Sequence, residues 1–389
     1  MRYLFVNGAE EVWGAEESMV VLARSLIQSG HEVSLDCFSK KIQDFWSKEV
    51  NFQTRLVVDN SQNMTNFQKC KAYTFVDLGI HAPDIVIFIS HFLFPKVAAE
   101  KIKALFLPVA KKQNRVWALD LHDNFKSWKS FINLNFFARF ADRIISVSKF
   151  TAAQLPKSSQ RKTLVCTRAL ELSHRKFSTP KKFPKSQNLR VGIVGRLDPE
   201  KNHQLLAEAM SRTSYPHELI VRGKSSNYFP EYSKSLLQNL QRSLGDRLKY
   251  EGVVPRNAAL SNLDLLVVCN SNEPMGRTVL EAMDVGVPVV VPDKGGSAEL
   301  VQDGLTGLKY KANDPVSLAE VLDFASSQPQ LLENCARQAF DKLVNEHNAA
   351  SYGQIINSFM MDKLSGRRTN SLAELRADTM EAIEKNGGQ

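Results

Sequence analysis

Residues Asn270–Gly296 read NSNEPMGRTVLEAMDVGVPVVVPDKGG. An apolar run, LDLLVVC (Leu263–Cys269), precedes them. The passage therefore parses as a strand, a loop (NSNEPMG), a helix (RTVLEAMDVG) and a second strand (PVVVPD). Two strands joined through a helix are the unit of a parallel sheet. Two glutamates, Glu273 in the loop and Glu281 about a turn into the helix, frame Gly276 and Arg277.

The same alternation runs outward in both directions. Short apolar runs that read as buried strands are RYLFVN, EVSLDCF, DIVIFIS, RVWALDL, RIISVS and TLVCT, and then LRVGIVG, ELIVRG and LKYEGV. Between them lie helical stretches. Met19, Leu22, Ala23, Leu26 and Ile27 share one helical face, and Gly30 stands where a C-cap glycine would. Strands alternating with helices imply an α/β protein with parallel sheets covered on both sides. Phe177–Asn188, with two prolines and three lysines, breaks the rhythm and reads as an interdomain linker. The expected organisation is a doubly wound, Rossmann-like domain over 1–180 and a second over 186–350. Helices over 351–389 would then cross back to the first domain. Two such domains leave a cleft between the carboxyl ends of their sheets, where ligands of this architecture bind.

The chain has 389 residues, 43% apolar and 23% charged. No apolar run approaches the ~20 residues of a membrane-spanning helix. Its five cysteines are scattered with no CxxC, so reduced packing residues and a cytoplasmic location are expected. Residues 1–180 hold 25 Lys+Arg against 16 Asp+Glu, whereas 181–389 hold 25 of each. The basic half is expected to face something anionic, and a peripheral position on an inner membrane surface is one form of this. The segment His91–Arg115 concentrates Lys96, Lys101, Lys103, Lys111, Lys112 and Arg115. Phe94, Val97, Ala98, Ile102, Leu105 and Phe106 are expected on its apolar face. No nucleic-acid-binding signature is present.

Four places at strand ends carry chemistry. In VGRLDPEKNHQLL, Asp198 is a cap and Pro199 a first helical residue, which puts Arg196 and Lys201 beside a helix N-terminus. Cations are disfavoured there by some tenths of a kcal/mol, so an anion between them is expected. In the opening stretch, Thr278 and Glu281 have capping-box spacing, whereas Glu273 has no such local role and can point at a ligand. Gly276 allows close backbone approach. Gly14 and Ala15, after the first strand, present bare backbone to a phosphate or sugar. His122 ends the strand RVWALDL, where it can donate a hydrogen bond or move a proton. GIVG lacks the spacing of a dinucleotide fingerprint. No Asp-x-Asp, Walker A, GxSxG or HExxH occurs, so no metal site is expected.

Together these motifs resemble the retaining glycosyltransferases of family 4, which have the two-domain GT-B fold. The resemblance covers nearly the whole chain. It rests on the E-x7-E element from Glu273 to Glu281 with GVPVVV after it, and on KGGSAELVQDGLTGLKY, GRLDPEKN, WGAEESMVVLARSLIQSGHEV and ADRIISVSKFTAAQL. The chain departs from the pattern at Arg168–Glu171, where Asn-Gly-Val-Asp is usual. Trp13 replaces a glycine, and Met275 an aromatic residue.

The resemblance implies transfer of a sugar from a nucleotide diphosphate to a hydroxyl, without a metal or other cofactor. Arg196 and Lys201 would hold the diphosphate, with Gly14 and Ala15 approaching it from the first domain. Glu281 would bind the ribose, and Val253 and Val254 would flank the base. Glu273 and the backbone of Met275, Gly276, Arg277 and Thr278 would hold the sugar, and His122 would contact it from the acceptor side. Uridine and glucose, or a related hexose, are the expected donor parts. A saccharide or lipid-linked saccharide is the expected acceptor. A sugar-nucleotide 2-epimerase and a non-catalytic sugar-nucleotide-binding protein are the alternatives.

Overall fold

Two parallel sheets carry the chain, each in its own unit: Met1–Glu171 with His347–Gln389, and Leu172–Glu346. The computed structural model describes residues 1–365 apart from 13, 52, 58–63, 74–82, 90–92, 106–114, 125–127, 173–187, 226–228 and 348. It does not describe the side chains at 103–105, 128–131, 133 and 350. Trp13 and, apart from Asn188, the expected linker lie outside the described residues.

The first unit runs β1 (Arg2–Asn7), α1 (Gly14–Gln28), β2 (Glu32–Cys37), α2 (Lys40–Glu49), β3 (Gln53–Leu56), α3 (Asn66–Ala72) and β4 (Ile85–Phe88). It continues through α4 (Phe94–Leu105), β5 (Val116–Leu121), α5 (Trp128–Phe137), β6 (Arg143–Ser146), α6 (Lys149–Ala152), α7 (Lys157–Gln160) and β7 (Thr163–Val165). The strand order is β3-β2-β1-β4-β5-β6-β7. Strand alternation feeds two separate cores, because successive side chains face opposite sides of a sheet. Tyr3 and Phe5 pack on one side with Met19, Leu22 and Leu26 of α1. Leu4 and Val6 pack on the other with Phe88, Phe94, Val97 and Trp117.

The second unit runs β8 (Arg190–Val194), α8 (His203–Met210), β9 (Glu218–Arg222), α9 (Pro230–Leu244), β10 (Leu248–Gly252) and β11 (Leu265–Val267). After these come α10 (Arg277–Asp284), β12 (Val289–Pro292), α11 (Gly296–Leu300), β13 (Leu308–Tyr310), α12 (Pro315–Ser327) and α13 (Pro329–Glu346). Its order, β10-β9-β8-β11-β12-β13, repeats the topology of the first six strands of the other sheet. Asp314 accepts from the backbone amides of Val316 and Ser317, with Pro315 at the first helical position, as its sequence signature dictates.

Two strands, β3 and β13, are not evident as apolar runs. Each lies at the edge of its sheet and is only three or four residues long. The basic segment also differs from expectation. Phe94, Val97 and Ala98 are buried as expected, but Ile102 is 46% exposed. Lys101 pairs with Asp142, and Arg115 donates to the Pro83 carbonyl at 2.7 Å. Phe106, Lys111 and Lys112 lie outside the described residues.

The last described helix, α14 (Ala349–Ser365), packs on α1. Its Tyr352, Ile355, Ile356, Phe359 and Met360 complete the core that α1 begins, each adding about 1.5–3 kcal/mol of burial. Tyr3 Oη donates to Asn357 Oδ1 at 2.6 Å. The two helices meet closely at Gly353, where an added Cβ would lie 2.1 Å from Ser25 Oγ. A Gly353→Ala substitution is therefore expected to destabilise the chain by about 1–3 kcal/mol in chemical denaturation. Ser25→Gly in the same chain should recover most of that loss, because it removes the atoms the new methyl meets.

Candidate active site

In a doubly wound sheet, ligands bind where the strand order reverses, outside the carboxyl ends of the two central strands. In the second unit those strands are β8 and β11. The loop after β8 turns at Gly195 (φ 151°) against Gly223 (φ 150°). A Cβ on Gly223 would lie 1.8 Å from the Gly195 carbonyl oxygen, so no side chain fits there. The Leu197 amide then donates to the Lys224 carbonyl at 3.0 Å, which fixes the path of Arg196.

The helix expected at Pro199 does not start there. Asp198 caps a 3-10 turn, Pro199–Lys201, by accepting from the Lys201 amide at 3.3 Å. Asn202 then adopts the left-handed conformation (φ 48°, ψ 47°), and α8 begins at His203. Arg196 and Lys201 thus sit on a turn ahead of the helix rather than in its first turn. Each also has a carboxylate of its own. Arg196 Nη2 lies 3.3 Å from Asp198 Oδ2, and Lys201 Nζ donates to Glu273 Oε2 at 2.9 Å. The expectation that Lys201 lies in the first turn of the α-helix is corrected accordingly.

Glu273 comes from the loop after β11, so its pair with Lys201 joins the two central loops. Asn270 Nδ2 donates to the same carboxylate oxygen at 2.8 Å. Burial works against the Lys201 ammonium, but the charge and hydrogen bond of Glu273, and then Asp198, outweigh it and raise its pKa. The loop is held from beneath by the Gly295-Gly296 turn. The Gly296 amide donates to the Glu273 carbonyl at 2.7 Å, and a Cβ on Gly296 would lie 2.1 Å from the Pro274 carbonyl oxygen. Met275 is buried and Gly276 takes φ 96°, which starts α10.

The expected capping box is absent. The N-cap of α10 is Gly276, so Thr278 is already inside the helix and Glu281 reaches no cap amide. Glu281 Oε1 instead accepts from Arg277 Nε at 3.0 Å and from Arg256 Nη2 at 3.2 Å. Arg256 follows the Val253-Val254 loop, so this contact brings that loop's end to Glu281. Val253 itself is 74% exposed. Arg222 fixes the loop from below. Its Nη1 donates to the carbonyls of Ala258, Ala259 and Ser261, and its Nε to Glu251. Sequence reading missed Asn270, Arg256 and Arg222. Only Asn270, three residues from Glu273, lay near enough in sequence to be found.

In the first unit, Gly14 and Ala15 form the start of α1, with Gly14 exposed and its carbonyl accepting from Ser18 Oγ at 2.7 Å. His122 follows β5. Its Nδ1 bonds Asp120 Oδ2 at 2.8 Å, and its Nε2 lies 3.5 Å from Asp123 Oδ2. Burial works against the imidazolium, but Asp123 and Asp120 more than offset it, and the pKa is pushed up to about 9. His122 is therefore a charged donor at neutral pH.

Residues 175–342 match the family model for glycosyl transferases group 1. The chain is 29% identical over 172 residues to a putative glycosyltransferase, YtcC, of Bacillus subtilis, covering 41% of this chain and 42% of that one. It is 29% identical over 184 residues to the lipopolysaccharide core biosynthesis mannosyltransferase LpcC of Rhizobium leguminosarum, covering 45% and 52%. The chain thus spans about half the length of these relatives. Among solved structures, Anabaena Alr3699/HepE in complex with UDP and glucose aligns with a TM-score of 0.72 at 19% identity, over 93% of this chain and 100% of that one. Sucrose-phosphate synthase from Thermosynechococcus elongatus aligns at 0.72 and 15%, over 94% and 99%. The two Rossmann-like units are those of a GT-B fold, and the second contains a glycosyl transferases group 1 domain.

Proposed function

We propose that the protein is a glycosyltransferase of the retaining, family 4 type, which moves a hexose from a nucleotide diphosphate to a saccharide or lipid-linked saccharide. The observation that carries this reading is the Lys201–Glu273 pair, formed between the two central loops of the sheet inside the matched domain. An ammonium has three donors. Lys201 can keep Glu273 while turning another N–H to a diphosphate oxygen, with Arg196 beside it. Glu273, anchored by Asn270, accepts from sugar hydroxyls, and Glu281 from the ribose. The Val253-Val254 loop lies against the base. UDP and glucose are the preferred donor parts, supported by the ligands of the aligned Anabaena protein.

In this reaction the bond between the anomeric carbon and the diphosphate oxygen breaks, and the acceptor hydroxyl adds on the same face. Its proton passes to the departing phosphate. Negative charge grows on the diphosphate as the bond breaks. Fixed cations stabilise that charge without reorganising, which is worth on the order of 10²–10³ in rate for one such group. This chemistry calls on Arg196 and Lys201 and needs neither a protein nucleophile nor a metal. His122, as an imidazolium, would donate to a sugar hydroxyl.

Replacing Lys201 by Ala should cut UDP release from UDP-glucose about a hundredfold, with the circular dichroism spectrum unchanged. Normal turnover in that folded variant would overturn the reading.

The two glutamates should separate in calorimetry. Glu273→Gln is expected to leave UDP affinity nearly unchanged while slowing use of the donor sugar. Glu281→Ala should weaken UDP binding itself, since it also releases Arg277 and Arg256. Equal losses of UDP affinity would refute this division.

A further inference from the structure

Arg168 stands where the resembling family has an asparagine, and it is 1% exposed. It follows β7, yet its guanidinium reaches three other elements. Nη2 donates to Asp120 Oδ2 on β5, and Nη1 contacts Met19 Sδ on α1 and Tyr352 Oη on α14, the latter at 3.4 Å. Asp120 is likewise 1% exposed, and the oxygen that takes the guanidinium also holds His122 Nδ1 at 2.8 Å. One buried carboxylate oxygen is thus shared between an arginine and the candidate sugar-side histidine.

We propose that Arg168 is a positioning residue for His122, acting through Asp120. An unpaired carboxylate in a protein core is costly and tends to take up a proton. Arg168 keeps Asp120 ionised there whether or not His122 carries its second proton. An ionised Asp120 accepts from Nδ1–H, which fixes the ring and directs Nε2–H to the opposite side. On that side stands Asp123, whose carboxylate is 59% exposed and only 3.5 Å away, so a ligand hydroxyl can displace it. The charged groups facing the ring are Asp120, Asp123 and Arg168. The two aspartates favour the imidazolium and Arg168 opposes it, so the guanidinium both secures the ring's anchor and limits its basicity. The α14 helix takes part because Tyr352 closes the cage around the guanidinium. The inference rests on reading His122 as the group that contacts the transferred sugar.

The test is an NMR titration of the His122 ring in the full-length protein, assigned by comparison with His122→Gln. In Arg168→Met the midpoint should rise by about one pH unit, because deprotonating His122 would then leave Asp120 as an unpaired buried carboxylate. In Asp120→Asn with Arg168→Met the anchor is gone and no buried charge is left unpaired. There the midpoint should fall to about 6.5 or below. An unchanged midpoint in folded Arg168→Met overturns the proposal, as does an unchanged midpoint in the double variant, since Asp120 would then not be the link; if Arg168→Met does not fold, Arg168→Gln, which removes the charge but keeps a hydrogen-bond donor, decides in its place. UDP release from UDP-glucose separates the underlying reading. If His122→Gln retains full activity, His122 has no part in the reaction, whatever the titration shows about Arg168.

Discussion

The site in the second unit depends on one carboxylate. Glu273 lies in the loop between β11 and α10, and it faces a lysine 72 residues earlier in the chain. Holding a lysine and a glutamate together partly out of water is worthwhile only if both ends are well bonded, since desolvation otherwise offsets their attraction. Here Asn270 bonds the acid, Asp198 fixes the turn that carries the lysine, and the Gly296 amide ties down the loop's backbone. A Cβ on Gly296 would lie 2.1 Å from the carbonyl oxygen of Pro274, the residue after Glu273, so the loop could not keep this path. The pair is thus a product of close backbone packing as much as of charge.

Charge compensation follows the same plan across the described sites. Arg196 is matched by Asp198, Lys201 by Glu273, Arg256 and Arg277 by Glu281, and Arg168 by Asp120. Cations held this way are oriented before any ligand arrives. Preorganisation of this kind avoids the reorganisation cost that flexible surface lysines would incur. It also shows why the helix-dipole reading of Arg196 and Lys201 was incomplete. The left-handed turn at Asn202 separates them from α8, and each lies beside a carboxylate, Arg196 by Asp198 and Lys201 by Glu273.

The alternating apolar runs made most of the fold legible, because strands buried on both faces must be apolar and the helices between them must cover those faces. The edge strands β3 and β13 escaped because an edge needs less apolar length. The Thr278–Glu281 spacing suggested a capping box, but Gly276, left-handed and tightly packed against Ser297, had already started the helix. Local spacing names residues able to cap. Which of them caps depends on where the neighbouring turn lets the helix begin.

By itself the sequence determined the doubly wound class, the candidate strand-end loops and the residue types in them: two cations after β8, two glutamates about the helix that follows β11, and a histidine after β5. These are properties of neighbours along the chain, where periodicity and turn chemistry act. Tertiary structure decided the partners. Arg256 bonds Glu281 across 25 residues, Arg168 bonds Asp120 across 48, and Tyr352 meets Arg168 across 184. No local pattern encodes such pairs, because they depend on which strands lie side by side and how closely glycines let their loops approach.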